Sequence, residues 1–249
     1  STGNPAMDYL IADHTLIPKE DEKYYTEQII RMPHASQATD DTLVPSKKHF
    51  SRNELGIEED TFVYCCFSKS VKIQLQDFTL WMTLLRQKDN SCLWLLESND
   101  ISKANILKEA QIQGIDPSRI IFSKKIPLEE HLSRQSCADL MLDTFNFSSG
   151  VMTSLAIKSG LPVLTCPGKT FSSRLSASIL NSLNLNELIA TNKDDYIKKA
   201  AQLSHKKNIT QLKSKIMSLQ QTNPYFHSQI YCRELENKFK DVLKCQNQN

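Results

Sequence analysis

Three short segments carry side chains able to grip an anion or a planar ring. DTFNFSSG, Asp143 to Gly150, ends an apolar run and opens a helical pattern. Ser148, Ser149 and Gly150 would there present free backbone N–H groups and the positive end of a helix dipole, a setting suited to a diphosphate. The same spacing also serves an ordinary N-cap, with Ser148 or Ser149 closing the first turn. FSKSVKI, Phe67 to Ile73, follows another apolar run; Lys69 and Lys72 could reach a phosphate from it or simply be solvated. In HLSR, His131 and Arg134 stand one helical turn apart and share a face, an arrangement also common on wet helices.

Other chemistry is excluded. CPGKT, Cys166 to Thr170, lies between a strand and a helix pattern as a P-loop does, but the glycine that signature requires upstream is Val163. The histidines (His14, His34, His49, His131, His205, His227) are scattered, with no HExxH, metal-ligand spacing or Ser-His-Asp order.

The elements that must position these residues are regular from Thr61 onward. Short apolar runs at Thr61–Phe67, Cys92–Leu96, Arg119–Ser123, Ala138–Asp143 and Pro162–Cys166 predict strands. Between them lie helical patterns: Leu75, Phe78, Met82 and Leu85; Ser102 to Gln113, closed by Gly114; Pro127 to Gln135; Gly150 to Ser159, ended by Gly160; and Phe171 to Leu183. Continuous rather than alternating apolar strands, spaced by helices, imply βαβ units and a parallel sheet covered on both faces. Met7–Asp13 predicts one further buried strand, followed by a turn and a polar, loop-like stretch. From Asp194 the chain reads as two or three helices. The fold class is therefore α/β: a Rossmann-like parallel sheet with helices on both faces, plus C-terminal helices.

A chain of 249 residues, 40% hydrophobic, can bury a real core. Its net charge of +2, without blocks of like charge, gives no footprint for nucleic acid. No apolar run of roughly 18 residues predicts a membrane helix, and the N-terminus lacks signal-peptide layout. The seven cysteines lack Cys-x-x-Cys spacing; Cys65, Cys66, Cys92 and Cys166 sit in apolar stretches and read as reduced core residues of a cytoplasmic protein. The absence of an initiator Met is the expectation for part of a longer polypeptide.

The ordered segments resemble the catalytic region of the O-GlcNAc transferase and SPINDLY-type glycosyltransferase family. STGNPAMDYLIAD, FSKSVKI, RIIFSKKIPLEEHLSR and MLDTFNFSSGVMTSLAIKSGLPVLTCPGKTFSSRLSAS each match a family segment in order. ELIA, DDYIKKAAQL and PYFHSQIYCRELE continue the similarity over nearly the whole chain. The resemblance implies the C-terminal lobe of a GT-B fold, with 1–50 as the end of the acceptor lobe and a linker, 51–205 as the nucleotide-sugar lobe and 206–249 as a helical extension. It implies transfer of a sugar, GlcNAc from UDP-GlcNAc, to Ser or Thr hydroxyls of a protein acceptor. It further implies that neither cofactor nor metal is required, and that a tetratricopeptide-repeat region would lie upstream in the full-length protein. SPINDLY-type members use GDP-fucose and others UDP-glucose.

Carried over by position, Lys72 falls on the lysine that contacts the donor diphosphate and offsets charge on the leaving group. Lys69 stands where the family's O-GlcNAc transferases carry glutamine. His131 and Arg134 fall on the base subsite. Ser149, Gly150, Val151, Met152 and Thr153 fall on the helix start whose N–H groups hold the phosphates. Two positions depart: Leu128 replaces a family lysine, and Leu155 replaces the acidic residue for the ribose hydroxyls, an omission costing roughly 1–3 kcal/mol where those hydroxyls are buried. The alternative to an active donor lobe is a degenerate, catalytically inactive lobe acting as a binding or scaffold module.

Overall fold

A computed structural model describes residues 1–246, with side chains as far as Lys244. Five parallel strands form the sheet in the order β5-β4-β3-β6-β7: β3 (Phe62–Cys66), β4 (Ser91–Leu96), β5 (Ile120–Ser123), β6 (Leu140–Leu142) and β7 (Val163–Leu164). Every residue of β3 and β6 is buried, as expected of strands covered on both faces. α1 (Leu75–Gln87), α2 (Asp100–Ile112), α3 (Leu128–Arg134) and α4 (Gly150–Lys158) connect them, and α5 (Leu175–Ser182) follows β7. Trp81 of α1 and Trp94 of β4 are fully buried in the main core.

The chain runs β3, β4, β5 toward one edge, then returns to place β6 on the other side of β3, with Tyr64 against Leu140 and Cys65 against Met141. That reversal is a topological switch point, and it opens a crevice beyond the carboxyl ends of β3 and β6. The loops that leave those two ends are the Phe67–Ile73 and Asp143–Gly150 segments.

The expected elements from Thr61 are all present, most with shorter ends, though β4 and α2 begin one and two residues earlier than expected. α2 starts at Asp100, because the Asn99 side chain accepts the Ser102 N–H at 2.8 Å and caps the helix there. It stops before Gly114, whose φ of +75° is a left-handed turn. The run from Phe171 divides into a 3-10 turn, Phe171–Arg174, and α5. Three helices form the tail: α6 (Lys193–Leu203), α7 (Lys206–Thr222) and α8 (Ser228–Gln246). Residues 247–249 of the expected extension lie outside the described residues.

One strand departs from expectation. β2 (Gln28–Arg31), within the stretch read as turn and loop, pairs in parallel with β1 (Tyr9–Ala12) as a separate two-stranded sheet. Its QIIR holds one buried side chain, too little pattern to register in the sequence. This sheet packs its own small core (Ala12, Leu16, Ile17) against Phe171 and Leu175. The Asp13 carboxylate ties it to the lobe, accepting Ser36 N–H at 2.9 Å and Ser178 Oγ–H at 2.6 Å. α8 returns to the same segment, where the Tyr231 hydroxyl donates to Ser36 O at 2.8 Å.

Cys65, Cys66 and Cys92 are buried free thiols, as their apolar setting predicted; Cys137 is buried as well, and Cys166 is half-buried. Cys232 corrects the reading of all the cysteines as core residues: it is exposed on α8. The Cys245 side chain lies outside those described. Among the described residues no helix is long and apolar enough to cross a membrane.

Candidate functional site

The crevice is built by two loops that lean on one another. After β3 the backbone stays extended through Lys69, then closes a 3-10 turn over Ser70–Lys72 before Gln74 caps α1. The turn lifts Lys72 over the loop that follows β6: its Nζ lies 3.9 Å from the centroid of the Phe147 ring, a cation–π contact. Lys72 is half-buried, and burial lowers its pKa, opposed by the negative charge of Asp143. Lys69 is exposed on the same turn.

Asp143 anchors the second loop. It is fully buried, accepting the Ser149 N–H at 2.8 Å on one oxygen and the Thr165 hydroxyl at 2.7 Å on the other; burial raises its pKa. The Ser149 hydroxyl hydrogen-bonds the Ser68 hydroxyl across the crevice, joining the two loops.

This decides between the two readings of the helix start. Ser149 holds the N-cap position of α4, but its side chain makes no capping bond, and Ser148 bonds Ser172 O at 3.0 Å instead. The N–H groups of Gly150, Val151 and Met152 therefore keep no partner among the described residues, aimed along the helix axis at the crevice. A Cβ at Gly150 would sit 2.5 Å from Gln37 Oε1 and 3.2 Å from Leu175 Cβ, so any larger residue would push the Gln37 side chain aside and press on Leu175. Thr153 departs from its expected place at the phosphates. Its N–H donates to Ser149 O at 2.6 Å and its hydroxyl pairs with that of Ser176 at 2.8 Å, both buried away from the crevice.

Beside this corner lies a cavity of about 290 Å³, walled by Phe67, Leu96, Ile126, Leu128 and Met152, with His131 and Arg134 at its polar end. The Arg134 guanidinium, 3% exposed, packs against the rings of Phe67 and Trp94, donates from Nη1 to Lys124 O at 2.8 Å, and from Nε to His131 Nδ1 at 3.1 Å. Its Nη2 has no partner among the described residues. The His131 ring meets Phe67 edge-on, centroids 4.9 Å apart.

One proton arrangement fits these contacts. Arginine only donates, so His131 Nδ1 accepts and Nε2 carries the proton of the neutral ring. Gln135 touches Nε2 with one end of its amide at 3.1 Å and the Ser159 hydroxyl with the other. The end facing Nε2 must therefore be the oxygen. The chain Arg134–His131–Gln135–Ser159 thus links the cavity to the last turn of α4, where the Ser159 hydroxyl bonds Ala156 O at 2.9 Å.

Burial first, and the Arg134 charge second, hold the His131 pKa down to about 4. A folded value below the unfolded 6.5 means that its contribution is intact above pH 6.5 and lost as pH falls toward 4. The stability gap between wild type and His131→Gln should shrink by about 3 kcal/mol from pH 7 to pH 4. Urea titrations of both proteins across that range check this; a gap that does not change with pH would refute the neutral, buried ring.

The structure thus brings Lys72, Ser149, Gly150, Val151 and Met152 to one corner and His131 and Arg134 to the adjoining cavity, with Lys69 on the rim. Sequence reasoning missed Ser68, Phe147 and Gln135 as partners, although Ser68 and Phe147 lie within the segments it singled out.

The fold is shared with known enzymes. An O-GlcNAc transferase mutant from Thermobaculum terrenum superposes with a TM-score of 0.81 over 98% of this chain and 46% of its own, at 20% identity. The parallel five-stranded sheet with its covering helices is the fold of the C-terminal lobe of a GT-B glycosyltransferase. The model of glycosyl transferase family 41 matches residues 36–235, and the chain belongs to that family. Two curated relatives are similar in sequence. One is a probable UDP-N-acetylglucosamine–peptide N-acetylglucosaminyltransferase, SEC, of Arabidopsis thaliana, 27% identical over 96% of this chain. The other is the UDP-N-acetylglucosamine–peptide N-acetylglucosaminyltransferase of Caenorhabditis elegans, 30% identical over 85%. The chain spans only 25% and 18% of their lengths. The resemblance read from the motifs is borne out.

Proposed function

We propose that this chain is the donor-binding lobe of a glycosyltransferase that moves GlcNAc from UDP-GlcNAc to Ser or Thr hydroxyls of a protein acceptor. The observation that carries this reading is the convergence of the half-buried Lys72 and three free N–H groups of α4 beside a cavity with an apolar wall and a buried guanidinium. The diphosphate would lie against Lys72, with Lys69 near it, and against the N–H groups of Gly150, Val151 and Met152. The base would enter the cavity toward His131 and Arg134. Lys72 would offset the charge that develops on the leaving diphosphate, without a metal or other cofactor. Residues 51–205 would form this lobe, 1–50 the end of the acceptor lobe and its linker, and 206–249 the helical extension. An upstream tetratricopeptide region would complete the full-length protein. No nucleic acid or membrane enters this reading, and the compartment it proposes is the cytoplasm.

Leu128 favours a second reading, a degenerate lobe that binds without catalysing. It lines the cavity and is 42% exposed, an apolar side chain where a polar partner for a nucleoside would serve. Leu155, one turn beyond Met152 on α4, likewise offers the ribose no acceptor.

Calorimetric titration with UDP, UDP-GlcNAc and GDP tests both. Weak UDP binding is expected, and Leu155→Asp should tighten it roughly 5- to 30-fold by restoring an acceptor, worth about 1–2 kcal/mol. Millimolar UDP that yields neither heat nor a melting shift would sink the donor site. A Leu155→Asp protein that binds no better would remove the ribose assignment.

A further inference from the structure

Asp77, a buried acid on the first turn of α1, takes no part in the reading above. Its side chain is fully inaccessible to solvent. One carboxylate oxygen, Oδ2, accepts the Gln74 N–H at 3.0 Å, and Gln74 lies just beyond Lys72, at the end of the turn that presents it. The other oxygen has no ordinary hydrogen-bond partner among the described residues. The N–H of Phe145 also acts on the same carboxyl group, favouring its charged form. Phe145 belongs to the loop that ends at Ser149 and Gly150. Asp77 therefore meets backbone from both loops that form the crevice.

We infer that Asp77 is a positioning residue of the donor site: its carboxylate holds the Lys72 turn through Gln74 and steadies the Phe145–Gly150 loop, setting the spacing between the Lys72 ammonium and the N–H groups of α4. This rests on the reading of that crevice as a diphosphate site. The buried hydroxyl pair Ser68–Ser149 is a direct bond between the loops, whereas Asp77 acts on each through a backbone N–H, that of Gln74 and that of Phe145. An uncompensated acid would be costly in such a place, and a hydrophobic residue would pack there more cheaply. A carboxylate earns its burial only by ordering backbone that must otherwise stay loose.

The groups that face Asp77 set its ionisation. Burial raises its pKa to about 6, the N–H groups of Gln74 and Phe145 oppose this, Asp143 at the end of β6 raises it further, and Lys193 at the start of α6 lowers it. Tyr196 of α6 and Cys66 of β3 also feel its charge. The ionised form accepts the N–H groups best, so the grip is firm above pH 6 and slackens below it.

Two measurements on the full chain test the inference. Hydrogen exchange of wild type, Asp77→Asn and Asp77→Ala comes first, and it needs no ligand. Asp77→Ala should speed exchange in both the 67–74 and the 143–150 segments and leave β4 unchanged. Faster exchange in the first turn of α1 alone would reduce Asp77 to a helix cap and overturn the proposal. UDP-GlcNAc titration comes second, because its diphosphate diester does not titrate near pH 6. Asp77→Ala should bind about tenfold more weakly, and Asp77→Asn, whose amide oxygen still accepts the Gln74 N–H, much less so. Wild-type affinity should fall as pH drops from 7 to 5, and that slope should vanish in Asp77→Asn. An Asp77→Ala protein that matches wild type at every pH would overturn the proposal. Should Asp77→Ala fail to fold, Gln74→Pro removes the N–H that Asp77 accepts and, measured against Gln74→Ala as the control for the lost side-chain cap, should weaken binding to the same degree; undiminished binding there counts against the inference. A wild type that ignores UDP-GlcNAc would defeat the donor reading, while the exchange pattern would still decide the role of Asp77.

Discussion

Replacing Lys72 by alanine is expected to weaken UDP binding about 10- to 100-fold, or ~1.4–2.8 kcal/mol. The ammonium is half-buried over Phe147, so it is pre-positioned and poorly screened, and its contact with a phosphate is a charge-assisted hydrogen bond. Binding should not vanish, because the N–H groups of Gly150, Val151 and Met152 remain in place. Uridine, which lacks the diphosphate, provides the control in the same calorimeter: its affinity should be nearly indifferent to the substitution. An equal loss for uridine would mean that Lys72 supports the loop and not the phosphate.

Arg134→Met should destabilise the lobe by about 2–4 kcal/mol. Methionine fills much of the volume between Phe67 and Trp94, so the loss is chiefly polar. It strips the Lys124 carbonyl of its 2.8 Å donor and leaves His131 Nδ1 unpaired in a buried setting. The His131 pKa should also rise, since the Arg134 charge is one of the two influences that depress it. Urea denaturation and the imidazole resonances of His131 check the two effects. A midpoint equal to that of wild type would show that the guanidinium contributes nothing net to the fold. Lysine is not a conservative alternative there, since it lacks the planar fork that serves Lys124 O and His131 together.

The sheet was largely legible because its strands are short, apolar and uninterrupted, and because helices separate them. β3 and β4 announce themselves as FVYCC and SCLWLL, with no polar alternation to confuse them with exposed strands. β2 was hidden, since QIIR buries a single residue and its partner β1 lies outside the main sheet. Of the site, the segments were legible and the partnerships were not. That Ser149 leaves α4 uncapped follows from Ser68 claiming its hydroxyl, a contact between residues 81 positions apart. The inward turn of Thr153 depends on Ser176, and the tautomer of His131 depends on Arg134 and Gln135 together. Asp77 reads in sequence as one more acid in a first helical turn; only the approach of the Phe145 N–H to its carboxyl group gives it another meaning.

The switch point between β3 and β6 also governs the order in which the molecule can acquire its site. Strands β3, β4 and β5 follow one another in sequence, so they can pair as soon as they exist. The β3–β6 seam instead closes a long loop, as the bond from Val63 N–H to Asp139, 76 residues away, illustrates. Until β6 docks, the Lys72 turn faces nothing and β3 exposes a bare edge. A half-assembled chain therefore owns no fraction of the crevice. Whatever ligand the crevice accepts will stabilise this seam in particular, binding the finished sheet and ignoring every intermediate that lacks it.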